Sequence, residues 1–166
     1  MQWLMLQQDS PEDFVIATGR MITVRNFIEI AARSLGWGDE ENPNGMIWKG
    51  EGVNEIGMRA DTKEEVIKVD PRYFRPTEVE QLLGDPSKAK DKLGWVPKIT
   101  LEEMIVEMIN NDIEELLTKA YKTDPKHLAN ISRLASFYEK VRGDTNKAEE
   151  LHLKMEKNIN FTIILT

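Results

Sequence analysis

The residues best suited to holding a charged ligand lie in one short stretch, Val69-Asp70-Pro71-Arg72-Tyr73-Phe74-Arg75-Pro76-Thr77-Glu78-Val79. Two prolines flank two arginines, so the segment cannot be regular helix and its guanidinium groups project from a stiff backbone. A rigid pair of Arg forks suits bidentate capture of phosphate oxygens, and such a loop can hold a diphosphate. Glu78, three residues after Arg75, is well placed to accept from ribose or sugar hydroxyls while Arg75 neutralises the anion. Residue types alone leave a second reading open: Arg72 and Arg75 pair with Asp70 and Glu78 as surface ion pairs, which are common and contribute little.

Few other chemistries can be assembled from this composition. The 166 residues include no Cys and two His, which removes disulfides, thiol chemistry and Cys-based zinc sites and leaves too few imidazoles for most catalytic metal centres. Carboxylates, Lys, Arg, Tyr and hydroxyls remain. There is no G-x-x-x-x-G-K-[ST], no H-E-x-x-H and no G-x-S-x-G, and Gly50-Glu51-Gly52 is followed by Gly57 at the wrong interval for a dinucleotide fingerprint. Tyr138-x-x-x-Arg142 shares only its Tyr with the Tyr-x-x-x-Lys catalytic pair and is expected to pack rather than react. His127 and His152 are expected to be exposed or interfacial helix residues, not ligands. No catalytic, cofactor-binding or metal-binding residue is assigned.

Charge narrows the partners further. A net charge of −7 without a basic cluster argues against nucleic acid and anionic membrane surfaces. No run approaches the roughly 20 apolar residues of a membrane span, and the N-terminus lacks the pattern of a signal peptide. A cytoplasmic location is the expectation. Residues 1–117 carry 13 basic and 23 acidic side chains, net −10, whereas residues 118–166 carry 9 and 6, net +3. The first part alternates short strand-like and helix-like stretches; the second reads as helical almost throughout. The expected organisation is therefore a mixed α/β lobe over 1–117 followed by an α-helical hairpin over 118–166.

Several elements must position the Arg loop. The first eight residues read as the end of an amphipathic helix, and Asp13 to Thr18 as a short buried strand closed by Gly19. Thr23 caps a helix carrying Val24, Phe27, Ile28, Ala31, Ala32 and Leu35 at helical spacing, ended by Gly36. Asp39 to Gly45 is a loop, and Met46–Lys49 and Val66–Val69 are strand candidates. Asp85-Pro86 opens a short helix that Gly94 stops, so Leu93, Gly94 and Trp95 read as a helix-ending core motif. Thr100-Leu101-Glu102-Glu103 is a capping box before a long helix. In the tail, Asp124-Pro125 starts a helix with Leu128, Ile131, Leu134, Ala135, Tyr138 and Val141 in a stripe; Gly143-Asp144 breaks it. A second helix runs from about Lys147 to Lys157, and residues 161–166 continue neither pattern.

Across residues 1–117 the chain resembles the C-terminal part of the GDP-mannose 4,6-dehydratase family. The likeness is carried by Gln2-Trp3-Leu4-Met5-Leu6-Gln7-Gln8, Pro11 to Gly19, Val24-Arg25-Asn26-Phe27, Gly50-Glu51-Gly52-Val53, Asp70 to Val79, Leu83 to Ala89 and Leu93-Gly94-Trp95. The resemblance implies the substrate-binding lobe of an extended short-chain dehydrogenase with its Rossmann lobe absent. In that family NADP and the catalytic Thr or Ser, Glu, Tyr and Lys belong to the Rossmann lobe. The reaction is oxidation at sugar C4, loss of water across C5 and C6, and return of hydride to C6, giving GDP-4-dehydro-6-deoxymannose. By position the family's GDP-contacting Arg and Glu are Arg75 and Glu78; Arg72 is a third candidate, with a structural role as its alternative.

Met1 aligns with an internal residue of the family, so the chain is expected to be a truncated dehydratase that binds GDP-mannose or a related GDP-sugar but does not turn it over. NADP belongs to the complete enzyme and is not expected to bind this chain alone. Trp3, Met5, Leu6 and Ile16, which would face the Rossmann lobe, are expected to be left exposed, and a homo-oligomer or that lobe is the expected partner. Leu134, Ala135, Tyr138, Gly143, Asp144, Ala148 and Met155 fall near tetratricopeptide-repeat positions, and Ala120 to Pro125 resembles the end of a preceding repeat. A single repeat cannot bury its own face. The alternative function is accordingly a protein–protein interaction module acting through this tail.

Overall fold

The computed structural model describes residues 1–75 and 82–164, with side chains described as far as residue 156. Six α-helices and three short strands follow in the order α1 (Gln2–Leu6), α2 (Val24–Ser34), β1 (Met46–Lys49), β2 (Ile56–Arg59), β3 (Glu65–Lys68), α3 (Ser87–Leu93), α4 (Leu101–Thr123), α5 (Leu128–Phe137) and α6 (Thr145–Ile164). A 3-10 turn at Gly52–Asn54 precedes β2, and a π-helical turn at Tyr138–Arg142 follows α5. The chain divides into two compact units, Met1–Ile105 and Val106–Thr166. That division falls within α4, ahead of the charge change near residue 117.

In the first unit the three strands form an antiparallel meander in the order β1-β2-β3. Met46 lies opposite Arg59 and Lys49 opposite Ile56, while the β2–β3 register shifts between Gly57 and Met58. Gly57 is small for a reason: a Cβ there would come within 2.9 Å of the Trp48 ring and 3.0 Å of the Ile67 Cβ. The sheet meets α2 at Gly45, where a Cβ would lie 2.9 Å from Ala32 and where φ is +87°. α2 begins as its sequence dictates, with the Thr23 hydroxyl accepting from the Asn26 N–H at 3.1 Å. Its Glu29 accepts from the Trp48 indole N–H at 2.8 Å, linking helix to strand.

Polar clips fix the remaining loops. Lys63 donates to Asp39 at 2.9 Å, and the backbone N–H of Asn42 also reaches Asp39. The Lys63 contact, with the Asn42 N–H second, lowers the Asp39 carboxyl to about 2. Asp61 receives the Nε and Nη2 of Arg59, whose guanidinium lies 4.5 Å from the Trp37 ring centroid.

The segment from Asp13 to Thr18 is not a strand. It forms no regular element and joins no ladder, and Val15 and Ile16 are 50% and 58% exposed. An apolar run reports extended chain, not the partner a ladder needs. Here the segment lies along α3: Lys88 donates to the Asp13 carbonyl at 2.9 Å, Lys92 to Glu12 at 2.6 Å, and Gly84 admits the Ala17 side chain. Contacts from Lys92 and then Lys88 hold the Glu12 carboxyl below its ordinary range. Trp3, Leu6 and Ile16 are exposed, whereas Met5 is half-buried.

α3 starts at Ser87, whose N–H and hydroxyl donate to Asp85, and it ends at Gly94 in the left-handed region. Leu93 and Trp95 are half-buried, and the Trp95 N–H returns to the Ala89 carbonyl. The capping box at the start of α4 is complete, since Glu103 N–H donates to the Thr100 hydroxyl and Thr100 N–H to the Glu103 carboxylate.

The second unit is helical. α5 starts at Leu128, later than the Asp124-Pro125 signal suggests, because residues 125 and 126 form a turn and His127 is the N-cap. Ile131, Leu134, Ala135, Phe137, Tyr138, Ala148 and Leu151 form one buried cluster, with Ile113, Leu117, Tyr121 and Met155 packed against it. Asp144 caps α6 by accepting from the Lys147 N–H at 3.0 Å. α6 runs on to Ile164, so residues 161–164 do continue the helix; 165 and 166 lie outside the described residues. No helix among the described residues is long and apolar enough to cross a membrane.

Candidate functional site

The Arg loop leaves the end of β3 and is shaped first by Asp70. The Asp70 carbonyl accepts from the Tyr73 N–H at 3.0 Å, closing a turn with Pro71 at its second position, where the ring pre-sets φ. The Asp70 carboxylate then takes the Arg72 N–H at 3.0 Å, Nε at 3.1 Å and Nη2 at 2.6 Å. The Arg72 side chain is the main cause holding the Asp70 carboxyl below its ordinary range, and Asp70 reciprocally raises Arg72. For Arg72 the ion-pair alternative is thus realised, although its side chain remains 79% exposed.

Beyond the turn the side chains diverge. Tyr73 is 78% exposed, with the Arg72 guanidinium 5.5 Å from its ring centroid. Phe74 lies against Gly52, where a Cβ would sit 3.7 Å from the ring. The Gly50–Gly52 turn therefore adjoins the Arg loop, a proximity that the sequence does not signal. Arg75 is exposed on the same loop; Glu78 lies outside the described residues. Arg72 and Arg75 are both exposed on this loop, three residues apart in sequence.

A dinucleotide does not fit the glycines described here. Gly50 turns tightly on its own loop, since a Cβ there would come 2.3 Å from the Asn54 carbonyl oxygen, and the adjoining sheet is antiparallel, not the parallel sheet of a dinucleotide fold.

The other polar cluster lies in the second unit. Tyr138 is buried and donates to Glu114 at 2.9 Å, and Arg142 donates to Glu114 at 2.8 Å and to Asn111 at 2.5 Å. The Tyr138 hydroxyl, more than Arg142, holds the Glu114 carboxyl below its usual range. Tyr138 and Arg142 thus brace the π-helical turn. A cleft of about 600 Å³ on α4 is lined by Asn111, Glu114, Glu115, Thr118, Lys119, Lys122 and Thr123. Its acids and lysines offset one another, and it collects no aromatic ring. His127 and His152 are exposed, and no metal-ligand cluster occurs among the described residues.

Comparison with known proteins covers the first unit and runs beyond it. A family model described as GDP-mannose 4,6 dehydratase matches residues 1–108. The chain belongs to the GDP-mannose 4,6-dehydratase family. Curated dehydratases of that name include one from Yersinia enterocolitica, 51% identical over an alignment of 125 positions that covers 69% of this chain and 32% of the relative. One from Vibrio cholerae is 47% identical over 80% of this chain and 36% of its own length. The dehydratase of Homo sapiens is 43% identical over 70% of this chain and 29% of its length. The chain spans about a third of the length of the curated relatives it matches.

Proposed function

We propose that this chain supplies the nucleotide-sugar-binding lobe of a GDP-mannose 4,6-dehydratase and binds GDP-mannose or a related GDP-sugar through Arg75 and Glu78. Arg72, the third candidate, is held in an ion pair with Asp70 on the same loop, so any contact it makes with the ligand is secondary to that of Arg75. The observation that carries the reading is the stiff turn at Asp70, which fixes one guanidinium and presents a second on the same exposed segment of a family member. Dehydration converts GDP-mannose to GDP-4-dehydro-6-deoxymannose and water. It needs NADP and a catalytic Tyr and Lys, which this reading assigns to a Rossmann lobe outside these residues. Alone the chain binds and does not dehydrate, because rate depends on groups from both lobes holding substrate against cofactor.

Calorimetric titration of GDP-mannose into the chain tests this. Saturable binding, weakened at least about tenfold by Arg75→Ala, is expected, since a charge-assisted bidentate contact is at stake. A folded chain that binds nothing, or binds equally well after Arg75→Ala, contradicts the site. Turnover of GDP-mannose by the pure chain with added NADP contradicts the assignment of catalysis elsewhere.

A second reading belongs to the tail, as a tetratricopeptide-like helical hairpin over 118–166 that recruits a protein or a second copy of the chain. It is supported by Leu128, Val141 and Leu153, which stay 41%, 46% and 57% exposed beside the buried cluster. Sedimentation tests it: a strict monomer whose behaviour is unchanged by Leu153→Ser rules out self-association through this face.

A further inference from the structure

The loop that carries Arg75 also presents an aromatic ring whose setting suits a base. Phe74 packs against Gly52, yet its neighbour Tyr73 stands 78% exposed. Behind that ring lies the Arg72 guanidinium, 5.5 Å from the centroid and tied to Asp70 through its own backbone N–H, Nε and Nη2. A cation pinned over one face orients the ring and leaves the opposite face to a ligand.

We propose that Tyr73, backed by Arg72, is the stacking platform for the nucleobase of a nucleoside-diphosphate sugar, an inference that rests on the reading of Arg75 as the diphosphate contact. Pro76 biases Arg75 toward extended backbone. In extended chain, residues two apart point to the same side and lie about 7 Å apart. One ribose separates a base from its diphosphate, a comparable span. Phe74, between them, lies against Gly52. The Asp70–Arg72 pair is then the support of the platform: it holds the cation that orders the ring. A purine covers more of a Tyr face than a pyrimidine does, so this platform favours GDP-sugars over UDP-sugars without reading base edges.

The experiment uses the full chain, with Tyr73→Ala, Tyr73→Phe and Arg75→Ala, titrated with GDP-mannose, UDP-glucose and inorganic pyrophosphate. The guanine H8 proton is followed by NMR. Tyr73→Ala is expected to weaken GDP-mannose binding by about tenfold, a usual scale for one base stacked on one ring. It narrows the preference over UDP-glucose, leaves pyrophosphate binding unchanged and abolishes the upfield shift of H8. Tyr73→Phe keeps wild-type behaviour, whereas Arg75→Ala weakens GDP-mannose and pyrophosphate alike. Equal GDP-mannose binding by Tyr73→Ala, or a loss in Tyr73→Phe as large as in Tyr73→Ala, overturns the platform while Arg75 dependence preserves the diphosphate contact. A folded wild-type chain that binds neither GDP-mannose nor pyrophosphate overturns both.

Discussion

In the second unit, Ile131, Leu134, Ala135, Phe137, Tyr138, Ala148 and Leu151 close into one cluster, whereas the buried apolar residues of the first, Ile30, Ala32, Met46, Ala60, Ala89 and Ile105, are spread over α2, β1, the turn after β2, α3 and the start of α4. The first unit instead shows close backbone approaches at Gly45 and Gly57 and polar contacts such as Lys92–Glu12, Lys63–Asp39 and Trp48–Glu29. It also leaves Trp3, Leu6, Ile16 and Leu82 more than half exposed. The family model spans residues 1–108 and so covers the loosely cored unit, while the residues of the closed cluster, from Ile131 on, lie outside that model.

The closed core of the second unit is where one substitution should have the largest effect. Ile131 is fully buried at the centre of the cluster, so Ile131→Ala should cost about 2–5 kcal/mol of that unit's stability. Hydrogen exchange should show amides of α5 and α6 losing protection while those of β1 to β3 keep theirs. Equal loss in both would mean that the units unfold as one.

Gly57→Ala acts on the other side. The added methyl meets the Trp48 ring and the Ile67 Cβ, so overpacking of about 1–3 kcal/mol is expected in the first unit only, read from the β-strand amides. Thr23→Ala removes the oxygen that receives the Asn26 N–H and should cost about 1 kcal/mol, visible as fraying of the first turn of α2.

The smallest expected effect is of pH. Asp39 falls from its ordinary 3.8 to about 2 in the fold, so the unfolded chain takes up a proton at higher pH than the folded one. Its contribution is fully present above about pH 4 and is lost as pH falls toward 2. Thermal scans of the first unit should therefore lose a component over that window that Asp39→Asn lacks at every pH. A wild-type chain whose acid profile matches that variant would remove Asp39 from the account.

How much of this could be read in advance differs by region. Local signals with one physical solution were legible: the Thr23 cap, the Thr100 capping box, the Gly94 stop and the strand at Met46 all appear where their residues place them. Signals that need a distant partner misled. The apolar run at Asp13 to Thr18 looked like a buried strand but found α3, not a ladder, and the Asp124-Pro125 start became a turn before α5. β2 was hidden because Gly57 interrupts its pattern while serving its packing. At the site, the Arg pair and the carboxylate at Asp70 were legible from spacing. The adjacency of Phe74 to Gly52 was not, since it joins loops that lie more than twenty residues apart.

The central claim, that ligand chemistry resides in the loop after β3 and not in the helical unit, is tested most directly by mapping backbone amide shifts on adding GDP-mannose. The account predicts saturable shifts at residues 70–75 and 50–54, with those of α5 and α6 unmoved. Shifts confined to α5 and α6, or none in a folded chain at millimolar ligand, would contradict it.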